Sequence, residues 1–229
     1  MITDIKAKVD QVTPDVLDEG NMDYPRMSKL GQLWTADWKY KMVCAGKAYR
    51  LSWGTISGST APTMVGAGTV TDLDIPLVIV AVDTGYLIPM DFNIGIYAAM
   101  ATANDETDII VCADRATAVS AAQIATSSAT AETPDNLLDG GPAFTGRAVS
   151  VCTVAITDPV NSDILYYAHF QCMGTAVNTV DLTKDKSWDY PNFLAGPCSL
   201  LVYTGGVDAV TSIGSIVFAH VPSSWVPVS

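Results

Sequence analysis

The chain has 229 residues, of which 49% are hydrophobic, and a mean hydropathy of +0.27. It is therefore long and apolar enough to bury a sizeable core within one large domain. Its net charge is −12, and the charge is uneven, because residues 1–50 carry a net +1 and the remainder a net −13. An acidic body repels phosphate backbones, and the weakly basic first segment cannot condense a genome, so direct nucleic-acid binding is disfavoured.

Membrane spans and secretory processing are also disfavoured. The longest apolar run, residues 75–82, is interrupted by Pro76 and is too short to cross a bilayer, so we expect no transmembrane segment. The sequence does not open with a basic start followed by an apolar stretch, so we expect no cleaved signal peptide. The cysteines are odd in number and scattered through apolar runs. This pattern predicts buried free thiols in a protein made in a reducing cytosol.

Residues 1–35 are predicted to form an extended arm, followed by a single domain over residues 36–229. In residues 36–44 apolar side chains alternate with Lys39 and Lys41, which predicts a half-buried strand. A second alternating segment over residues 47–56 would complete a hairpin, with Trp38 and Trp53 in the core.

Further strands are predicted along the rest of the chain. They cover residues 74–82, 86–101, 107–114, 147–157 and 164–173. Residues 114–144 are the least strand-like part, where a short helix over 118–125 and an exposed excursion are expected. Residues 183–193 are predicted to form a second excursion, which is polar and aromatic.

The last 34 residues contain two apolar segments that are predicted to be strands, joined by a Gly-rich loop and followed by a tail that contains prolines. Apolar residues on both alternating faces predict strands buried on both sides, forming a closing pair in the inner sheet of a sandwich. Altogether the pattern gives about nine strands, little helix and irregular spacing. We expect an all-β, jelly-roll-like β-sandwich with an N-terminal arm and long loop insertions, because such folds tolerate uneven connections.

Metal chemistry has little support in the sequence. His169 and Cys172 are three apart on a predicted strand and point to opposite faces, whereas Tyr167 shares the face of His169. His220 could meet His169 across a sheet, but two ligands do not make a zinc site. Residues 104–108 (Asn-Asp-Glu-Thr-Asp) could supply oxygens to Ca²⁺. They lack the spacing and glycine of a helix-loop-helix calcium loop, so a solvated turn is favoured and no cofactor is expected.

Catalytic motifs are missing as well. The chain has no G-x-S-x-G, P-loop or H-E-x-x-H segment. An enzyme using paired carboxylates stays a third alternative, because such residues meet only in the fold. We therefore expect a non-enzymatic protein that acts through its surfaces.

One surface is marked by aromatic residues in a polar loop. Trp188, Tyr190 and Phe193 lie in the segment KDKSWDYPNF, where at least partial exposure is expected. Exposed aromatic clusters of this kind are commonly buried by a partner. The partner would be a neighbouring subunit or, less favoured, a ligand such as a glycan.

The order of features resembles virion structural proteins of tailed and tailless bacterial or archaeal viruses. The residues that carry the resemblance are Arg26-Met27-Ser28, Gly31, Asp37-Trp38-Lys39, Gly46, Tyr49, Gly54-Thr55 and the terminal SLLVYTGG…GSIVFAHVPSSW. The resemblance implies an extended arm, a single jelly roll and long loops that contact other subunits. Many RNA-virus capsid proteins of this class have a strongly basic arm. This chain has no strongly basic arm. The roles that the resemblance leaves are to build the shell or to cement it from outside.

The resulting prediction is a capsid shell subunit or a capsid-stabilising cement (decoration) protein that acts by self-assembly, located in the virion after synthesis in the host cytoplasm. Its partners would be copies of itself, as a trimer to hexamer or a larger shell, and other capsid proteins. The expected interface residues are Ile2, Ile5, Leu17, Met22, Tyr24, Met27, Trp188, Tyr190 and Phe193. The alternative is a β-sandwich receptor- or glycan-binding module, a virion spike or surface protein, that uses Trp188, Tyr190 and loop acids.

Overall fold

A computed structural model of the chain describes residues 38–54, 65–66, 75–100, 106–115, 117–127, 129–152, 162–171, 178–206 and 211–225. Several predictions lie outside these residues. They concern the arm with its anchors Ile2, Ile5, Leu17, Met22, Tyr24 and Met27, the Asn104-Asp105 half of the acidic turn, and Cys172.

Thirteen strands and two short α-helices make up the described fold. The helices are α1 (Trp38–Cys44) and α2 (Ala121–Thr126), and a 3₁₀ turn follows the last strand at Ser223–Trp225. The strands are β1 (Ala48–Trp53), β2 (Val65–Gly66), β3 (Val78–Val82), β4 (Tyr86–Met100), β5 (Glu106–Asp114), β6 (Thr130–Ala131), β7 (Asp135–Asn136), β8 (Arg147–Ser150), β9 (Ser162–Gln171), β10 (Asn178–Ser187), β11 (Leu194–Ala195), β12 (Cys198–Gly206) and β13 (Thr211–Val221).

The strands form two antiparallel sheets. One has the order β10-β4-β13-β1-β7, with β11 also pairing with β4 and β2 with β13. The other has the order β6-β8-β3-β12-β5-β9. The chain therefore changes sheet at most of the connections between consecutive strands. The predicted all-β sandwich is confirmed at the level of two packed antiparallel sheets.

The main core lies between the sheets. Along β1 the residues Tyr49, Leu51 and Trp53 are buried while Arg50 and Ser52 are exposed, as the two-residue period of a strand requires. These side chains meet apolar residues from the facing strands β3, β5 and β12. The prediction that Trp53 is a core residue is confirmed.

The Trp53 ring is fixed by contacts in its own sheet. It stacks on Phe92 with ring centroids 6.2 Å apart, and its indole N–H donates to Ser212 Oγ over 3.2 Å. A Cβ atom at Gly214 would lie 2.5 Å from the ring carbon Cζ2 of Trp53. A side chain at position 214 would therefore displace the largest residue of the core.

Both sheets also bury much of their outer faces. On one side Ile79, Leu201 and Tyr203 pack with Val119 and Cys152 of the long excursion between β5 and β9. On the other side Ala48, Met90 and Val217 pack against α1 and Trp225. The expectation that the terminal strands are buried on both faces is confirmed for β12, where every residue from Cys198 to Thr204 is buried.

Helix α1 corrects the predicted strand over residues 36–44. Trp38 and Met42, one helical turn apart, pack together with Val43 against the outer face of the first sheet. This spacing is the helical period. The two-residue alternation was misleading because Tyr40, on the apolar face of the predicted strand, is 49% exposed. The predicted short helix in the excursion is confirmed as α2, which begins with a capping box formed by Ser120 and Gln123.

The C-terminal strand pair is also corrected. Strands β12 and β13 are consecutive but lie in opposite sheets, where β12 pairs with β3 and β5, and β13 pairs with β1 and β4. Alternation indicates that a strand is buried but does not identify the strand it pairs with. The expectation of a closing pair within one sheet was therefore wrong. A third correction is β10, which extends to Ser187 through the first part of the predicted excursion over 183–193.

Candidate interaction surface

The aromatic loop of residues 188–193 follows β10 at one end of the sandwich. Trp188 begins it and is 9% exposed, within the core between the sheets. Its backbone N–H donates to the carbonyl of Met90 over 3.0 Å, which continues the pairing of β10 with β4 by one residue. The expected exposure of Trp188 is therefore wrong, because sheet pairing turns the indole inward.

The other two aromatic residues of the loop face outward. Tyr190 is 85% exposed and Phe193 is 40% exposed, as expected. The Phe193 ring meets Tyr86 edge-on, with centroids 6.0 Å apart and an interplanar angle of 90°. The loop thus presents one almost free aromatic ring beside one that is packed on the domain.

Two sets of hydrogen bonds fix the backbone of this loop. Trp38 on α1 donates its indole N–H to the carbonyl of Asp189 over 2.9 Å. Arg115, at the end of β5, donates to the carbonyl of Phe193 over 3.2 Å and to Asn192 Oδ1 over 3.0 Å. The same guanidinium pairs with Asp163 on β9. Hydrogen bonds therefore hold the loop on both sides of Tyr190. This lowers the conformational entropy that is lost when Tyr190 makes a contact with a partner.

Hydrogen bonds from Lys39 also join helix α1 to strands β4 and β10. The ammonium of Lys39 donates to the carbonyl of Met90 over 2.9 Å and to Asp91 Oδ1 over 2.7 Å, and it also contacts Ser187. The Lys39 side chain is 16% exposed. A lysine that the strand prediction placed on a solvent face is thus a link between α1, β4 and β10.

A second exposed region runs along β9, the edge strand of the six-stranded sheet. No other described strand pairs with its free side. Ile164 is 66% exposed and Tyr167 is 53% exposed, so this edge carries large apolar side chains. One edge strand of the other sheet, β10, instead carries Lys184, Asp185 and Lys186, the kind of charged residues that discourage edge pairing.

Polar residues on β9 form a small cluster that the sequence did not reveal. Asp108 on β5 accepts a hydrogen bond from the Tyr167 hydroxyl over 2.8 Å, and its carboxylate lies 2.8 Å from His169 Nδ1. The predicted sharing of one face by Tyr167 and His169 fits this arrangement. Only the β5–β9 register, which places Asp108 opposite His169, could have identified the third member.

The two histidines do not meet across a sheet, because His169 lies on β9 and His220 on β13 of the opposite sheet. Among the residues that the structure describes, no group of three or more His, Cys, Asp or Glu side chains is placed to hold a metal ion. Three of the thiols are buried, and burial raises the pKa of Cys112 to about 12 and those of Cys152 and Cys198 to about 11. The prediction of buried free cysteines is confirmed at these three positions.

Comparison with known proteins gives no family: no family model matches the chain, and no curated protein sequence matches it. Within the described residues, neither helix is long and apolar enough to cross a membrane.

Proposed function

We propose that the sandwich is a jelly roll. In chain order its eight long strands are β1, β3, β4, β5, β9, β10, β12 and β13. The first pairs with the eighth, the second with the seventh, the third with the sixth and the fourth with the fifth. This nested pairing, wrapped over two sheets, is the topology of a roll built from two Greek keys. The long excursion between β5 and β9 then adds β6, β7 and β8 at the sheet edges.

On this basis we propose a non-enzymatic virion structural protein, either a capsid shell subunit or a cement protein that links shell subunits. The nested strand pairing is the observation that carries the proposal, because the jelly roll recurs in viral capsid proteins. The weakly basic N-terminal segment is compatible with a protein that contacts protein rather than genome.

The aromatic loop and the β9 edge would supply the contacts. Tyr190 combines high exposure with a fixed backbone, the properties expected of an interface anchor. Strand β9 offers a neighbouring chain an edge with which no other described strand pairs, together with two exposed large side chains, Ile164 and Tyr167. Many such contacts in a closed array would add up to a stable shell even if each one is weak.

Native mass, measured by light scattering over a range of protein concentrations, tests this proposal. We expect a discrete oligomer or closed particles. Tyr190→Ala should weaken association at least about tenfold, the effect of losing one interface anchor worth more than 1.4 kcal/mol. Tyr40→Ala, which truncates another exposed tyrosine, is the matched control and should have little effect. A wild-type chain that stays monomeric at every concentration would refute assembly.

The predicted arm needs a separate experiment. A chain lacking residues 1–30 should assemble less well if the arm crosses a neighbouring subunit. Normal assembly of the truncated chain would exclude the arm while leaving the loop and edge contacts in place.

The second candidate is a glycan-binding module, since jelly rolls also occur in lectins. The exposed Tyr190 ring favours it, because an aromatic face can stack on a sugar ring, whereas the burial of Trp188 removes the larger platform. A glycan array distinguishes the two functions. Binding that Tyr190→Ala abolishes, in a chain that is monomeric, would favour the module.

A further inference from the structure

A pocket of about 320 Å³ lies where β1 begins and β13 ends. Lys47 and His220 form one wall, and the β3–β4 turn at Thr84-Gly85 and Thr145 of the excursion form others. The backbone N–H of His220 donates to the backbone carbonyl of Lys47 over 2.9 Å. Backbone pairing therefore holds the two basic side chains beside each other.

The pocket differs in charge from the rest of the molecule. Acidic residues outnumber basic ones by 24 to 12 in the chain, yet none of the described residues lining the pocket is acidic. The lining residues instead include Lys47, His220, Thr84, Thr145 and Ser223, whose side chains carry an ammonium, an imidazole and three hydroxyls. Donors and positive charge without a carboxylate favour an anionic ligand.

No described acidic residue neutralises the positive charge of Lys47. Lys47 forms no ion pair with any described residue, and its Nζ lies 5.9 Å from the centre of the Trp225 ring. The acid nearest in sequence to the pocket turn, Asp83, is bound by two hydrogen bonds from Arg147, at 2.6 and 2.7 Å. That carboxylate is therefore already paired.

Close contacts hold His220 and the β3–β4 turn against each other. His220 Nε2 lies 3.1 Å from the carbonyl of Thr84, and Nδ1 lies 3.5 Å from Thr145 Oγ1. Gly85 has φ of +80°, and a Cβ there would lie 2.5 Å from the carbonyl of Val221. Only glycine allows the turn to approach β13 this closely.

We propose that this pocket binds a small anionic oxygen group, a carboxylate or a phosphate. Lys47 supplies the charge, the hydroxyls supply neutral donors, and Pro142 and Pro222 give apolar walls to the group that carries the anion. The carrier is a free small molecule or an acidic side chain of a second copy of this chain. The pocket lies within one chain, so the binding of free phosphate or acetate tests the inference independently of the proposed assembly.

The imidazole NMR signals provide the test, because the chain has only two histidines. His169→Gln assigns the signals, and inorganic phosphate and acetate are titrated separately at constant ionic strength. We expect saturable shifts at His220 and none at His169. Lys47→Met should weaken binding at least tenfold, whereas Lys41→Met, at an exposed lysine of α1, should not. Thermal stabilisation by phosphate, lost only in Lys47→Met, gives a second readout that is independent of particle size.

A dilution series without added anion identifies the carrier. If His220 shifts with protein concentration and phosphate reverses the shift, the carrier is an acidic side chain of another copy. If the signal is independent of concentration but saturates with phosphate or acetate, the carrier is a free molecule. Equal responses of His169 and His220, no response to either anion, or an unchanged response in Lys47→Met would overturn the proposal.

Discussion

Trp38 donates its indole N–H to the backbone carbonyl of Asp189 over 2.9 Å, although 151 residues separate them in sequence. The bond joins α1, which covers the outer face of one sheet, to the loop that presents Tyr190. The position of the exposed tyrosine therefore depends on a helix that packs on the fold and not only on the strand that precedes the loop.

Trp38→Phe should loosen this loop. The ring can still pack, but the bond to Asp189 is lost, which should lower the free energy of unfolding by about 1 kcal/mol. Hydrogen exchange of the amides in residues 188–193 should become faster. Trp225→Phe is the control, because Trp225 packs on the same outer face but makes no described bond to the loop. Equal exchange in the two variants would show that the indole bond does not order the loop.

Gly85 should tolerate a side chain much less well than Gly140. Both have positive φ, +80° and +72°, but a Cβ at Gly85 would meet the carbonyl of Val221 at 2.5 Å, whereas nothing lies within 4 Å of one at Gly140. Gly140→Ala should cost about 1–2 kcal/mol, from backbone strain alone. Gly85→Ala should cost clearly more in denaturant titrations. Similar losses for the two variants would mean that the turn shifts without cost.

Asp83→Asn should remove a pH-dependent part of stability. Hydrogen bonds from Arg147 hold the pKa of Asp83 below its usual value. A carboxyl whose pKa is lowered by folding stabilises the protein above its unfolded pKa, roughly 3.9, and loses that contribution as the pH falls through the folded value. Because the carboxylate is 66% exposed, the effect near neutral pH should be about 1 kcal/mol or less.

The measurement for Asp83 is unfolding free energy as a function of pH. The difference between wild type and Asp83→Asn should shrink as the pH falls below about 4. Asp139→Asn, at an exposed acid without a described ion pair, should show no such trend. A constant difference across the acid range would contradict the assigned role of the Asp83–Arg147 pair.

The buried thiols should resist alkylation in the folded protein. Burial raises the pKa of Cys112 to about 12, with a smaller contribution from the charge of Asp114, and burial raises that of Cys198 to about 11. Because the thiolate is the reactive form, a short iodoacetamide pulse at about pH 8 should leave these two unmodified. The half-buried Cys44 should react faster. Mass spectrometry after digestion measures each site, and alkylation of Cys198 as fast as Cys44 would contradict this burial.

The sequence predicted most strands because their burial follows from local alternation. The predicted strand over residues 86–101 corresponds to β4, and that over 107–114 to β5. Strand pairing was not predictable in the same way. In sequence, strands β12 and β13 look like a pair joined by a Gly-rich loop. In the structure, each pairs with strands that are distant in sequence.

The candidate surface was predicted only in part. The segment of residues 188–193 was identified because aromatic residues stood in a polar sequence, and Tyr190 is indeed exposed. Trp188 could not be placed, because its burial depends on one further backbone bond to Met90 beyond β10. Lys39 was misplaced for a similar reason, since its partners lie on strands distant in sequence.

The sequence by itself determined the class of fold, the acidic charge and the segments that form strands, because these depend on composition and on the two-residue period of a strand. Tertiary structure alone decided which strands pair, that residues 38–44 are helical, and that Lys47 and His220 share a pocket. These features arise from contacts between residues far apart in the chain. A local pattern specifies which side of an element is apolar, but not the surface against which that side is buried.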